Sequence, residues 1–370
     1  SWIVGAFYAD FELDSLSEEF TPEWEEFAID FFFTGTEPGA SDLEYEEKLE
    51  SETEETAIFG EIGYQITNEW QVTVGARWFN FDDEAENSFR TPIADRLFGA
   101  DFSFAGSNDT DDDDTILKFN TSYDLNENHT VYFTWAEGFR RGGANSVPLG
   151  GPFASLPQYQ TYQPDEVTNY EVGLKGTIAD RIQYSTAVYF IEWDDFQFED
   201  VNPSGFPLVL NGSKVESKGF ELEVQADVTD QLSVNFGYAY TDAEVEEALS
   251  VEDLPFGALL FSLPPEAGTS LAKGDRVQNV PEHSVTASAN YIQPVTLGSR
   301  DMDLVFHVDT SYRGETNSAF NAGSANYFEM DDFWLWNGSV SLENESWGLD
   351  LFVQNIGNEE GITGGQGSAL

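Results

Sequence analysis

The chain has 370 residues, of which 69 are acidic and 15 are basic, so its formal net charge is −54. This charge makes nucleic acid a poor partner, because phosphate recognition needs clustered lysine and arginine. The chain contains no cysteine, which excludes disulfides, thiolate nucleophiles and metal sites with cysteine ligands. No stretch approaches the roughly 20 apolar residues of a membrane-spanning helix. If the chain crosses a membrane, it must therefore do so as a closed β-barrel.

Apolar and polar residues alternate in long segments along the whole chain. Within residues 70–81, for example, Val72 and Val74 lie on one side of an extended strand and Thr73 lies on the other. The pattern predicts strands at about 1–12, 56–67, 70–82, 114–125, 129–140, 165–178, 181–197, 213–228, 231–245, 283–293, 301–314, 332–344 and 347–357. The fold class is thus all-β, with antiparallel strands that are longer than the five or six residues usual in soluble proteins.

Short and long connections alternate between these strands. The short ones hold turn residues, as at Ala179-Asp180 and Thr229-Asp230, whereas the predicted long ones are 13–55, 83–113, 141–164, 198–212, 246–282 and 315–331. This rhythm is typical of a transmembrane barrel in an outer membrane, with short periplasmic turns and long extracellular loops. About thirteen strands is an odd number, whereas bacterial barrels have an even one. We therefore expect an incomplete barrel; a soluble sandwich or propeller is the alternative that the strand length disfavours.

The predicted long connections carry much of the acidic charge. Asp109, Asp111 and Asp113 have the spacing of calcium-binding carboxylates, but Asp114 stands where an EF-hand needs glycine. They are predicted either to be solvated loop residues or to hold Ca²⁺ or another divalent cation; no other cofactor is indicated. An apolar island at 27–33 is predicted to pack over the barrel mouth.

Five segments carry a more specific signal, in the following order along the chain. They are YFTWAEGFRRGGAN at 132–145, YQPDEVTNYEVGLKG at 162–176, SKGFELE at 217–223, NVPEH at 279–283 and FVQNIGN at 352–358. Each is weak alone, but the ordered set resembles the barrels of TonB-dependent outer-membrane receptors.

The resemblance implies that residues 1–370 are the C-terminal portion of a barrel of about 22 strands. The plug domain, which contacts TonB, and the terminal strand are expected to lie outside this sequence. The implied function is energised import of a scarce nutrient across the outer membrane of a Gram-negative bacterium, most commonly a ferric siderophore. Outer-membrane lipid and lipopolysaccharide are further expected partners. A passive porin, and import of cobalamin or an oligosaccharide, stay open as alternatives.

The candidate ligand-binding residues are Arg140, Arg141, Asn145 and Tyr162, which belong to the first two of these segments. The two arginines are conspicuous in a chain with so few cations. They are predicted to pair with acidic loops, with an anionic group of the cargo or of lipopolysaccharide as the alternative.

Other motif residues have predicted structural roles. Gly142 and Gly143 are expected to shape the rim where the strand leaves its ladder, by bending or by adopting a positive φ. Lys118, Lys175 and Lys218 are expected to point inward, because a charge on the lipid face would cost ~2–4 kcal/mol at mid-membrane depth.

The sequence offers little for catalysis. The chain has three histidines, His129, His283 and His307. His307 shares the predicted inward face of its strand with Asp309 and Ser311, a row that could move protons but is more typical of a hydrogen-bonded cluster. We therefore predict that the protein is not an enzyme.

Overall fold

A computed structural model describes residues 1–20, 22–23, 43–92, 95, 103–145, 160–201, 207–249, 271–320 and 327–364. Among these residues, no helix is long and apolar enough to cross a membrane. The described strands are β1 (Trp2–Phe20), β2 (Leu43–Gln65), β3 (Trp70–Arg90), β4 (Phe104–Asn126), β5 (His129–Arg140), β6 (Gly143–Ala144), β7 (Thr161–Tyr162), β8 (Asp165–Ile178), β9 (Ile182–Asp194), β10 (Gln197–Val201), β11 (Pro207–Asn211), β12 (Lys214–Asp227), β13 (Leu232–Val245), β14 (His283–Leu297), β15 (Arg300–Arg313), β16 (Thr316–Asn317), β17 (Glu329–Met330), β18 (Phe333–Glu343) and β19 (Gly348–Val353).

Thirteen of the described strands form one antiparallel sheet, as the sequence predicted. Its order is β1-β2-β3-β4-β5-β8-β9-β12-β13-β14-β15-β18-β19, so each strand pairs with its neighbour in the chain once the three small hairpins are set aside. The short connections all lie at one end. The turn at Ala179 and Asp180, for example, has φ values of 53° and 54°, the left-handed pair of a tight hairpin whose twist matches its strands. The long connections consequently share the opposite end.

The two faces of the sheet differ as the alternation predicted. Val74 pairs with Phe119, and Phe236 pairs with Ala287, on the same face. Val74 and Phe236 are 48% and 41% exposed rather than packed against a second sheet, and we call this apolar face the outer face. Lys118 lies on the inner face, as predicted, and pairs with Glu61, but the prediction for Lys218 is wrong. Lys218 lies two residues from Phe220 on the outer face, where it pairs with Asp242.

The strands extend further at the long-connection end than the sequence predicted. β1 continues to Phe20, β2 begins at Leu43, β3 continues to Arg90 and β4 begins at Phe104. Much of the predicted loops 13–55 and 83–113 is therefore sheet, which carries the first four strands well beyond their predicted ends. The apolar island at 27–33 lies outside the described residues.

Part of the long-connection end has a hydrophobic core of its own. This loop core is formed by buried side chains from the β10–β11 hairpin, the adjoining strand ends and two more distant segments: Phe196, Phe198, Leu210, Val215, Val245, Leu271 and Phe320. The rings of Phe196 and Phe320 are 5.6 Å apart. These connections are thus held in place by apolar packing.

Candidate ligand-binding site

The four predicted ligand-binding residues come together in one segment at the long-connection end. Beyond Ala136, β5 no longer pairs with β4 and stays paired with β8 alone. Its last residues lie against β3, where the ring of Phe139 stacks on that of Phe79 with centroids 3.6 Å apart and planes within 2°. We call residues 139–145 and 160–165 the mouth strap. The strap is anchored on a hydrophobic cluster in which Ala57, Phe79 and Phe81 are fully buried.

Arg140 is held by a buried carboxylate. Asp165 is 1% exposed. One of its oxygens accepts hydrogen bonds from Arg140 Nε at 2.9 Å and from the backbone N–H of Gln197 at 2.9 Å. The guanidinium also donates to the Gln197 carbonyl at 2.9 Å and lies 4.5 Å from the ring centre of Trp193. Arg140 therefore pairs with a carboxylate, but this carboxylate belongs to the start of β8 rather than to an acidic loop as predicted. The pair joins β5, β8 and the β10–β11 hairpin.

Asn145 is a buried clamp between segments that are far apart in sequence. Its amide nitrogen donates to the carbonyl of Val209 at 2.8 Å, and its amide oxygen accepts from the N–H of Val209 at 2.7 Å. Its backbone carbonyl accepts from the amide of Asn87 at 3.1 Å. Both the oxygen and the nitrogen of the side-chain amide are hydrogen-bonded, and the residue is 5% exposed. Asn145 therefore holds the strap against the β10–β11 hairpin.

Tyr162 lies on the second half of the strap, opposite Gly143 in the β6–β7 hairpin. Burial raises the pKa of the Tyr162 phenol, and the negative charge of Asp83 acts in the same direction, whereas Arg140 and Arg141 oppose it. The phenol therefore stays protonated and available as a hydrogen-bond donor at neutral pH.

The two glycines of the strap are explained by close approach. Among the described residues, the positive-φ glycines are Gly274 and Gly298, so Gly142 and Gly143 do not need the left-handed region. A Cβ on Gly142 would meet the carbonyl oxygen of Tyr162 at 2.5 Å, and one on Gly143 would meet its hydroxyl at 2.6 Å. Glycine thus lets the two halves of the strap touch.

Arg141 faces the first strands of the sheet. One of its terminal nitrogens lies 3.9 Å from Glu55 Oε2, and the guanidinium carbon lies 5.8 Å from the ring centre of Phe11. Glu55 also accepts a hydrogen bond of 2.5 Å from Arg77, whose guanidinium lies 5.6 Å from the ring centre of Phe7. Two guanidiniums therefore share one carboxylate on the inner face.

The three aspartates of the predicted cation site lie on a strand rather than in a loop. Asp109, Asp111 and Asp113 are exposed and alternate along β4 on the outer face, in line with Leu117. Their oxygens are not among those close enough to share an ion; within the described residues that geometry occurs at Asp10, Glu52 and Glu54, which are exposed as well. The divalent-cation site stays a prediction.

The histidines lie in hydrogen-bonded pairs. His307 Nδ1 lies 2.7 Å from Asn290 Oδ1, and its Nε2 lies 3.2 Å from Asp309 Oδ1. His129 and His283 each contact a tyrosine hydroxyl, at 2.9 and 3.0 Å. The predicted row at His307 is thus a polar cluster within the sheet.

Sequence reasoning missed four residues that position the site, namely Glu55, Arg77, Asp165 and Gln197. The composition gave a signal for the two acidic ones, Glu55 and Asp165. In a chain with 15 basic and 69 acidic residues, each cation is expected to have an acidic partner. The identity of the partner depends on which distant strands the fold brings together.

Known proteins share this fold. Residues 10–356 match the family model described as TonB dependent receptor-like, beta-barrel. The chain is 22% identical over 264 residues to the probable TonB-dependent siderophore receptor PiuA of Acinetobacter baumannii, covering 71% of this chain and 33% of that protein. It is 33% identical over 247 residues to the ferric-pyoverdine M114 receptor PbuA of a Pseudomonas species, covering 63% of this chain and 25% of that protein.

Solved structures agree on the fold. The ferric yersiniabactin uptake receptor FyuA of Yersinia pestis superposes with a TM-score of 0.73 at 16% identity, covering all of this chain and 48% of that one. PiuA superposes with a TM-score of 0.65 at 18% identity, covering 98% of this chain and 50% of that one. The chain therefore spans a quarter to a third of the two curated relatives and about half of the two solved chains.

This chain belongs to the family of TonB-dependent receptor β-barrels. The predicted fold class, an antiparallel transmembrane barrel, is confirmed. The predicted location, the outer membrane of a Gram-negative bacterium, is also confirmed. Members of the family are transport receptors that bind small-molecule cargo and TonB. The apolar part of the outer face consequently faces lipid, and the inner face lines the lumen.

Proposed function

We propose that residues 1–370 are the C-terminal portion of the barrel of a receptor that imports a ferric siderophore, with energy supplied through TonB. The relatives PiuA, a probable siderophore receptor, and PbuA, a ferric-pyoverdine receptor, support this cargo class. In this proposal the chain does no chemistry on its cargo. TonB acts through a plug domain outside this sequence, and lipopolysaccharide surrounds the acidic strand extensions.

The observation that carries the proposal is the preassembled mouth. The strap lies against the inner face and is anchored through Phe139 on Phe79, through Arg140 on Asp165 and through Asn145 on Val209. A receptor that captures a rare solute benefits from such pre-ordering, because it lowers the entropic cost of binding. A passive pore has no comparable need for a rigid cup at its outer end.

The proposal is tested by deleting the gene and measuring uptake of radiolabelled ferric chelates under iron limitation. We expect the deletion to abolish uptake of one class of ferric siderophore and the restored full-length gene to recover it. A deletion that leaves all ferric chelates unaffected but abolishes cobalamin or oligosaccharide uptake would assign a different cargo. If the restored gene admits small solutes without selectivity, the receptor is a porin.

A further inference from the structure

Negative charge dominates the chain, so an anionic cargo must find cations that the protein has not already neutralised. Most cations in the described ion pairs have carboxylates of their own: Arg90 has Glu46, Lys118 has Glu61, Arg140 has Asp165, Lys214 has Glu192 and Asp194, Lys218 has Asp242, and Lys273 has Glu246. At Glu55 there are more cations than carboxylates. One carboxylate serves Arg77 and Arg141, which leaves this unit with one net positive charge.

The donors of this pair are incompletely used by the protein. Within the described part of the chain, the Arg141 guanidinium has no hydrogen bond, because its approach to Glu55 at 3.9 Å is an ion-pair contact only. Arg77 donates to Glu55, but its Nε–H is buried without an acceptor among the described residues. The side chain of Glu55 is 12% exposed, whereas those of Arg77 and Arg141 are 35% and 39% exposed. The cations thus face the lumen while the carboxylate lies behind them.

Aromatic rings accompany both guanidiniums. Phe7 and Phe11 are 39% and 49% exposed, and each lies within about 6 Å of one guanidinium, the range of a cation–π contact. The rings are four residues apart on β1 and therefore share a face of the strand. A ligand that combines negative charge with planar rings could therefore contact guanidiniums and phenylalanine rings at the same place.

Another acidic group, Asp83, lies near the pair and keeps its negative charge. Asp83 lies two residues from Phe81, which pairs directly with Glu55 across β2 and β3. The Asp83 carboxylate accepts hydrogen bonds from the hydroxyls of Ser51 and Thr53. These contacts engage Asp83 Oδ1 with hydroxyls of the neighbouring strand. Among the described residues Arg77 and Arg141 have their ion pairs with Glu55 and none with Asp83, so the unused N–H donors of the two guanidiniums stay available to a ligand.

We propose that Arg77 and Arg141, with Phe7 and Phe11, form an anion-recognition site for a ferric chelate whose iron donors are aromatic oxygens of the catecholate class. This inference rests on the proposed import function and narrows its cargo. Guanidiniums donate to the negatively charged catecholate oxygens, and the ligand rings stack beside the two phenylalanines. Arg140, saturated by Asp165, takes no part in this contact.

The experiment uses the purified full-length receptor in detergent and compares two probes by equilibrium binding. The probes are the anionic ferric complex of 2,3-dihydroxybenzoate and a neutral ferric trihydroxamate. We expect Arg77→Gln and Arg141→Gln each to weaken catecholate binding by about tenfold to hundredfold, the range for hydrogen bonds to charged groups. Binding of the trihydroxamate should not change. Arg181→Gln is the matched control, because it removes a guanidinium that pairs with Asp230 at the opposite end of the sheet.

A variant with the opposite sign separates the proposal from misfolding. Glu55→Gln removes the shared carboxylate and frees both guanidiniums, so catecholate binding should tighten several-fold, which a damaged site would not do. Unchanged catecholate affinity in both arginine variants overturns the inference, as does equal weakening of both probes. Loss of uptake with normal surface binding also overturns it, because the arginines would then contact the plug. The import proposal fails separately, if the wild-type receptor takes up no ferric chelate at all.

Discussion

Single residues at the mouth of the barrel hold distant strands and hairpins together. The sequence marked Arg140 as a cation in need of a partner, and the structure supplies Asp165, a carboxylate that is 1% exposed and serves both β5 and the β10–β11 hairpin. A buried carboxylate is tolerable only when its hydrogen bonds are made. Asp165 therefore decides whether the strap and the hairpin stay together.

Replacing Asp165 by asparagine should loosen this joint without unfolding the barrel. The variant removes the charge that binds Arg140 and the N–H of Gln197, so the local free energy of opening should fall by about 1.5–3 kcal/mol. Hydrogen exchange at the Gln197 amide should speed up by about tenfold to hundredfold. The control is Asp230→Asn, which removes a carboxylate that is 79% exposed in its ion pair and should leave this amide unchanged. Exchange at Gln197 that matches the wild type would contradict the role given to Asp165.

The role of Asn145 lay beyond sequence reasoning for a physical reason. Its partners Asn87 and Val209 are 58 and 64 residues away, and no local pattern encodes which distant carbonyl an amide will meet. The neighbouring segment FRRGG could be read as a rim motif, but the close approach of Gly142 to the Tyr162 carbonyl depends on the same long-range arrangement.

At the scale of single strands, β3 shows why the boundaries were predicted too short. Up to Trp78 the strand is apolar outside and polar inside, as a membrane strand should be. Beyond Trp78 the inner side chains Phe79 and Phe81 are buried, and the outer ones, such as Asp82 and Glu84, are exposed. The period of two continues, but the polarity of its faces is reversed because water now lies outside and packed connections lie inside. An acidic run was consequently predicted to be a loop.

The two faces of β13 give a direct test of the membrane-embedded region. Phe236→Lys places a charge on the lipid face and should destabilise the folded barrel by ~2–4 kcal/mol, measured by urea unfolding in lipid vesicles. Its neighbour Asn235 faces the lumen and donates to Ser288 at 3.1 Å. Asn235→Lys is thus the matched control, with an expected cost of about 1 kcal/mol for the lost hydrogen bond. Equal costs at the two positions would contradict the assignment of faces.

For the whole molecule, the sequence predicted the strand order well but did not predict the packing of the long connections. The thirteen-stranded order follows from strand length and from the alternation of turns with long connections, both of which are local signals. The loop core and the strap depend on contacts such as that between Phe196 and Phe320, which belong to different connections. The barrel was therefore predictable from local patterns, whereas the contacts that build the candidate site were not.

The orientation of the molecule can be checked by labelling. The 370 residues contain no cysteine, so a single cysteine introduced among them can be labelled, with the unsubstituted full-length receptor as the background control. A membrane-impermeant maleimide should label Asp111→Cys on the extended β4 in intact cells. It should not label Glu127→Cys in the turn between β4 and β5 until the outer membrane is opened. The reverse pattern would place the long connections in the periplasm.

We propose that a plugged barrel imports the cargo with energy from the inner membrane. A lumen filled by a plug has no standing aqueous path, so passage requires work, whereas capture at the mouth does not. The most direct measurement follows a radiolabelled ferric siderophore in cells with the full-length receptor, with and without TonB or a protonophore. We predict that uptake collapses in both treatments while binding at the cell surface persists. Uptake that continues undiminished without TonB would contradict the account and indicate a passive pore.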